Sequence, residues 1–327
     1  MNREYLGIDV SQAQLDVALV RADQPTVSGV FTNDLTGWKK LHRWLQKHAH
    51  DSVHGCLEAT GRYGDGVAHF LYEQGYTVSV LNPAQIKAFA DAHLVRHKTD
   101  PTDAYLIARF AQTQTPPAWH PPDPALSDLK MMVRHLDELK TMLQQERNRL
   151  HALPQDAPLQ TFLEAHIRFL QTQIADLTQR IQDHVRCHPD LKHNHDLLKS
   201  IPGLGDLTSA ILLAEISSLT RFATAKQLAA YAGLTPVQHR SGNYVKAYTP
   251  ISKKGNAHLR KALYFPAMVA IRHNPLVRVF ADRLRANGLS GKELVIAAMR
   301  KLLHLVFGVL KHQAAFDPNY LSQPIPT

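Results

Sequence analysis

The chain has 327 residues, 44% hydrophobic and 20% charged, and its 37 Lys/Arg against 28 Asp/Glu give a net charge of +9. The length exceeds the roughly 250–300 residues at which one core stops growing, so two or more domains are expected. The composition excludes a disordered, collagenous or disulfide-stapled chain, and no apolar run nears the ~20 residues of a membrane span.

The N-terminal residues enter a strand-like run directly, with no signal-peptide pattern, and Cys56 and Cys187 match no metal or redox spacing. A cytoplasmic location is the expectation. The charge is unevenly placed. Residues 1–189 carry 19 Lys/Arg and 21 Asp/Glu, a net −2, whereas residues 190–327 carry 18 and 7, a net +11. A basic block in a folded segment points to a phosphate-bearing partner, because each neutralised phosphate releases counterions.

In chain order, Tyr5–Val10, Leu15–Arg21 and Val27–Thr32 are short β-branched runs between polar turns. Gly37–His50 has helical periodicity, Val53–Glu58 is a fourth strand, Tyr63–Gln74 a helix and Tyr76–Leu81 a fifth strand closed by Asn82-Pro83. Ala84–Ala92 and Thr102–Gln112 read as helices. This alternation predicts an α/β domain over residues 1–116 with a mixed sheet of ribonuclease-H-like strand order. Pro116-Pro117 and Pro121-Pro122-Asp123-Pro124 mark a linker over 117–125, too proline-rich for helix or central strand.

Residues 126–190 change period. Leu129, Leu136, Leu143 and Leu150 recur every seven residues, with Glu146 interrupting the companion line. After Pro154 and Pro158, a second heptad line runs from Leu163 through Ile167, Leu170, Ile174 and Leu177 to Ile181 and Val185. One apolar seam per helix predicts a long helical hairpin, of coiled-coil type, packed within the chain or between chains. Residues 195–312 form a mainly helical, basic domain, with helices at Leu207–Ile216, Ala225–Ala232, Asn256–Ile271, Pro275–Ala286 and Lys292–Leu310. Residues 313–327 read as a loose tail. The fold class is thus α/β plus all-α.

Carboxylates mark the first domain. Asp9 lies inside an apolar strand, Glu58 ends another, and Asp100 and Asp103 share a helix face three residues apart. A lone carboxylate in an apolar strand is costly unless paired or metal-bound. Four hard oxygen donors at one sheet edge suit two Mg²⁺ ions, which can clamp both oxygens of a phosphodiester exchange. Asp100 before Pro101 also reads as a helix cap, and Asp103 as an acidic first-turn residue.

In the last domain, Pro202-Gly203-Leu204-Gly205 before an apolar helix reads as a helix–hairpin–helix turn, in which Gly203 and Gly205 let backbone N–H groups approach a DNA phosphate; the alternative is a simple turn. Arg240-Ser241-Gly242 begins a polar loop or short hairpin. Arg240, Lys246, Lys253, Lys254, Arg260 and Lys261 surround it as nucleic-acid contacts. Ser241 is either a nucleophile or a turn residue, and no adjacent base identifies itself. The pairs His48/His50 and His193/His195 lack zinc-type partners and read as surface residues.

These pieces, taken together, resemble a known family. They are Gly7-Ile8-Asp9-Val10, Glu58-Ala59-Thr60-Gly61, Asn82-Pro83, Lys98-Thr99-Asp100 with Asp103-Ala104, Ser200 to Gly205, Ala232 to Pro236, Ser241-Gly242 and Arg260 to Tyr264. In this order they are similar to the insertion-sequence transposases with an N-terminal Holliday-junction-resolvase-like DEDD domain and a C-terminal serine transposase domain, the bridge- or seeker-RNA-guided DNA recombinases. The resemblance implies that Asp9, Glu58, Asp100 and Asp103 bind Mg²⁺ and that Ser241 forms a transient phosphoserine link to DNA. It implies donor DNA, target DNA and a structured non-coding guide RNA as partners, and dimers assembling to a tetramer with composite sites. Two other readings stand beside it: a metal-dependent junction resolvase using water, and a non-catalytic nucleic-acid-binding protein.

Overall fold

The computed structural model describes residues 3–21, 24–58, 61–92, 100–121, 123–154, 157–236, 240–241, 244–245 and 250–319, with the side chains of 61, 62, 100, 101, 240, 241, 244 and 245 excepted. Two compact units divide the chain, Met1–Pro121 and Pro122–Thr327.

The first unit contains strands β1 (Arg3–Val10), β2 (Gln14–Val20) and β3 (Val27–Thr32), helix α1 (Leu35–His48), strand β4 (Ser52–Glu58), helix α2 (Asp65–Glu73), strand β5 (Thr77–Leu81) and helices α3 (Pro83–Ala92) and α4 (Asp100–Gln114). The sheet order is β3-β2-β1-β4-β5, antiparallel through β3, β2 and β1 and parallel through β1, β4 and β5. Alternation along the strands divides the core in two. Leu6, Ile8, Val10 and Leu57 meet Leu41 and Leu45 of α1 and Leu71 of α2 on one face. Tyr5, Cys56 and Leu81 meet Ile86 of α3 and Ile107 and Phe110 of α4 on the other.

Gly7 fixes the second face. A Cβ there would overlap the Ala104 carbonyl oxygen and crowd Ala108, so α4 lies against β1 backbone to backbone. Tyr5 clusters with Leu106, Ile107, Phe110 and Ala111. The helix therefore runs opposite to β1, with its N-terminus at the Val10 end of the strand.

The proline-rich segment starts as part of this unit, not as free linker. Trp119 N–H donates to the Val78 carbonyl at 2.6 Å, and Ser79 Oγ donates to Pro117 O at 2.6 Å. His54 Nε2 lies 2.8 Å from the same hydroxyl, and burial pushes its imidazole pKa down.

The second unit is helical: α5 (Pro124–Ala152), α6 (Gln160–Cys187), α7 (Pro189–Lys199), α8 (Asp206–Ile216), α9 (Ala225–Tyr231), then the short strands β6 (Arg240–Ser241) and β7 (Tyr244–Val245), and α10 (Ala257–Ala262), α11 (Tyr264–His273), α12 (Pro275–Ala286) and α13 (Gly291–His312). The two heptad seams meet each other within the chain. Leu139 and Leu143 pack on Ile167 and Leu170, and His184 Nε2 lies 2.8 Å from Ala125 O, so α5 and α6 are antiparallel. Glu146, the break in the seam, is buried and accepts from Arg149 Nη1 at 2.7 Å.

At its base the hairpin shares one core with the following helices. Leu129, Leu136, Ile181 and Val185 cluster with residues of α7 to α13. The single helix expected over Asn256–Ile271 is two, divided at Leu263. Pro266 is the reason: it has no N–H to donate to the carbonyl four residues back.

Candidate active site and nucleic-acid surface

The sheet register brings the predicted carboxylates of the first unit toward one edge. The β1–β4 pairing runs through Ile8↔Leu57, so the next residues, Asp9 and Glu58, are neighbours at the carboxyl ends of parallel strands. Parallel register partners share a face, and Gly7 and Cys56, two residues earlier, face α4. Asp9 and Glu58 therefore lie on that face, each half-buried. Asp103, also half-buried, sits one residue before the Ala104–Gly7 contact. Asp100 opens α4, and its side chain lies outside the described set.

The donors are all carboxylate oxygens, a set that fits Mg²⁺ or Mn²⁺ better than zinc. The N-terminus of α4 adds partial positive charge at the same edge. Among the described side chains, no three His, Cys, Asp or Glu residues stand at ion-holding spacing. Asp100, whose side chain falls outside that set, is one of the four expected ligands.

Ser241 lies in β6, paired with Tyr244 of β7, and Arg240 pairs with Val245. Gly242 and Asn243 between them, and Lys246 beyond, lie outside the described residues. The chain entering and leaving this hairpin is closed into a stem. Pro236 and Ile251 form a bridge, Ser252 N–H donates to Thr235 O at 2.9 Å, Lys253 N–H to Gly233 O at 3.2 Å, and Asn256 N–H to Tyr231 O at 2.7 Å.

The predicted cations divide by role. Arg260 Nη1 donates to Ala232 O at 2.9 Å, stitching α10 to the end of α9. Lys261 pairs with Asp137 of α5 at 2.5 Å. Lys253 and Lys254 are exposed at the stem.

The glycine turn has its own packing reason. Gly203 has φ +107, a backbone conformation that favours glycine. A Cβ there would stand 2.9 Å from Ala270 Cβ, so the turn seats against α11. Gly205 caps α8 with open space around it, but Asp206 already occupies the first turn. Its carboxylate pairs with Lys199 at 2.7 Å, and the Lys199 hydrogen bond lowers its pKa. His195, read as a surface residue, is buried, its Nε2 3.0 Å from Asp206 O. It faces inward because α7 packs on the start of α8.

Sequence profiles match over both units. A DEDD transposase domain of the IS110 type covers residues 6–156, and the Transposase IS116/IS110/IS902 family covers residues 195–282. The pilin gene-inverting protein of Moraxella bovis is 33% identical over 320 residues, spanning 97% of this chain and 98% of that protein. The chain belongs to the IS116/IS110/IS902 transposase family. It is a DNA transposase. The transposase of insertion sequence element IS1111A from Coxiella burnetii is 26% identical over 248 residues, spanning 67% of this chain and 66% of that protein. The RuvC structure of Thermus thermophilus overlays 36% of the transposase chain and 99% of its own, at 15% identity and a TM-score of 0.28.

Two features of the transposase lie outside the residues expected from sequence. Asp16 pairs directly with Asp9 across the β1–β2 hairpin and is buried, with Gln14 Nε2 donating to it at 2.8 Å. Antiparallel partners share a face, so Asp16, Asp9 and Glu58 form a row across three strands. The hairpin's closure at Ser11–Gln14 was the available signal, since it sets which residues stand opposite.

Glu215 is the second. Its side chain is fully buried and accepts from Arg134 Nε at 2.9 Å, Arg134 Nη2 at 3.1 Å and Asn256 Nδ2 at 2.7 Å. Burial pushes this carboxyl up, but the Arg134 and Asn256 hydrogen bonds outweigh it and hold the pKa below the usual range. Asn256 also caps α10, accepting from Leu259 N–H at 2.9 Å. The cluster ties α5, α8 and the stem of the serine hairpin together. No local motif announces it, because its members are 41 and 81 residues from Glu215. No helix among the described residues is long and apolar enough to cross a membrane.

Proposed function

We propose that this transposase is an RNA-guided DNA recombinase with Ser241 as nucleophile and a divalent-metal site at Asp9, Glu58, Asp100 and Asp103. The register that sets Asp9 beside Glu58, on the face against which α4 brings Asp103, carries the reading. Family membership supports DNA as the substrate, and the name of the Moraxella relative, a gene-inverting protein, supports strand exchange over simple cutting.

In the proposed reaction the Ser241 hydroxyl oxygen forms a bond to phosphorus while a P–O bond to deoxyribose breaks. The serine proton is released and the departing sugar oxygen takes one up. A hydroxyl of a second strand then reverses the step, exchanging strands with no net change in bond number. Two Mg²⁺ ions at the carboxylates would neutralise charge on the phosphate and make the serine hydroxyl easier to ionise. The acidic cluster repels DNA without cations, whereas the +11 C-terminal stretch attracts it. A structured guide RNA would supply sequence choice by base pairing, and dimers assembling to a tetramer would present two strand pairs at once.

A suicide DNA substrate, supplied with RNA transcribed from the element's ends, tests this. Wild type is expected to give a denaturation-resistant protein–DNA adduct, absent in Ser241→Ala. Recombination by Ser241→Ala at the wild-type rate overturns the serine step. A metal-activated-water nuclease would give cleavage with no adduct.

A further inference from the structure

The second unit holds a groove of about 1590 Å³ between the stem of the serine hairpin and helices α10 to α13. Pro236 and Ile251, the bridge that closes the stem, are part of its wall. Small-molecule sites run to roughly 300–1,000 Å³, so this space suits an extended occupant. Among the described residues, seven of its lining side chains are cationic and Glu293 is its one carboxylate. Among the described residues, Lys261 alone of the seven has a carboxylate ion pair. Lys253, Arg283, Lys292, Arg300 and Lys301 stand together with no such neutralising partner, an arrangement that favours a polyanion.

Charge alone would serve any polyanion, but the groove also contains aromatic rings. Phe265 lines it at 72% exposure, with Tyr264 edge-on at a centroid distance of 5.6 Å. The Arg283 guanidinium lies 5.6 Å from the centroid of the Phe280 ring. His304 is a further wall residue whose Nε2 has no hydrogen-bond partner among the described residues.

We propose that this groove binds an unpaired polynucleotide strand, with a base stacked on Phe265 and phosphates neutralised by the surrounding cations. Rings between cations are the combination that single strands use, because every base has a face to stack while a duplex keeps its base faces covered. An acidic peptide would engage the cations and leave Phe265 unused. The inference rests on the proposed action on nucleic acid and adds that the strand beside the serine stem is unpaired.

The test is fluorescence anisotropy on the full-length protein, without Mg²⁺, using a labelled strand of about 16 nucleotides as DNA, as RNA and as duplex DNA. Phe265→Ala is expected to weaken DNA-strand or RNA-strand binding about fivefold or more, with duplex binding unchanged and Phe265→Trp restoring affinity. Whichever strand shows the loss identifies the occupant. Equal single-strand affinity in Phe265→Ala and wild type overturns the groove, as does an equal loss on duplex. Polyglutamate binding that is the same in wild type and Phe265→Ala, with neither strand showing a Phe265-dependent loss, also overturns it, in favour of a peptide. These readings do not involve Ser241: loss of the adduct reading with Phe265-dependent binding intact rejects the recombinase mechanism alone, and wild type that binds no nucleic acid rejects both.

Discussion

The two units place their candidate site residues by different physics. In the first, Asp9 and Glu58 are adjacent because β1 and β4 pair in parallel register, and α4 is held at backbone contact by Gly7. The acidic site is inherited from the sheet itself. In the second, Ser241 rides on a ladder of two residues per strand, above a stem tied to the helical core. Charge follows the same division: residues 1–121 hold 11 Lys/Arg and 12 Asp/Glu, and the remaining chain holds the entire positive excess. The proposed metal chemistry would need a rigid frame with little net charge, whereas Ser241, the proposed nucleophile, sits in a basic stretch of sequence on a local element.

Four experiments bear on this comparison. The largest effect is expected from Ser241→Ala and from Asp9→Asn, each lowering strand cleavage by about 10⁴-fold or more while nucleic-acid binding persists. Wild-type cleavage by either variant would remove that unit from the chemistry. Next, Glu215→Ala leaves Arg134 and Asn256 without their partner and should destabilise the helical unit by about 3–5 kcal/mol, read by denaturant unfolding. The folded pKa of Glu215 lies below its unfolded one. Its contribution is therefore complete above about pH 4.3 and is lost as pH falls through the depressed folded value. Glu215→Gln should remove that part of the acid dependence, and an unchanged acid profile would show that the clamp does not titrate.

Gly7→Ala should cost less stability, about 1–3 kcal/mol, but on the order of 100-fold in cleavage, because α4 must move off β1 and take Asp103 with it. A Gly7→Ala protein that cleaves normally would show that helix position is not what sets the site. The smallest effect is expected from Lys301→Ala. The slope of log affinity against log salt for a single strand should fall by about 0.7, with cleavage chemistry unaltered.

Much of the frame was legible because its signals are local. The strands over 3–10, 27–32 and 52–58 lie within two residues of their expected bounds, since β-branched runs between turns mark them directly. The seven-residue spacing of leucines gave both long helices, but only the structure shows that their seams face each other. Asp16 carries no local signal because its importance lies in what stands opposite, a property of pairing and not of neighbours in sequence. Glu215 reads locally as one acid in an apolar helix, and its partners come from α5 and from the stem. Pro266 divides a helical periodicity that otherwise runs on to Ile271, because periodicity alone does not register the missing N–H.

The closed stem at Pro236 and Ile251 has a consequence for variation among relatives. Its hydrogen bonds are made by backbone groups of residues 231–235 and 252–256, below the serine. The stem therefore holds together the two chain ends at Pro236 and Ile251. Lengthening a chain segment closed at its base costs entropy that grows only logarithmically with length, so the helical core below the stem can keep its packing. Divergence can then collect around Ser241 at little cost to folding, whereas Asp9 and Glu58, built into the sheet, have no such freedom.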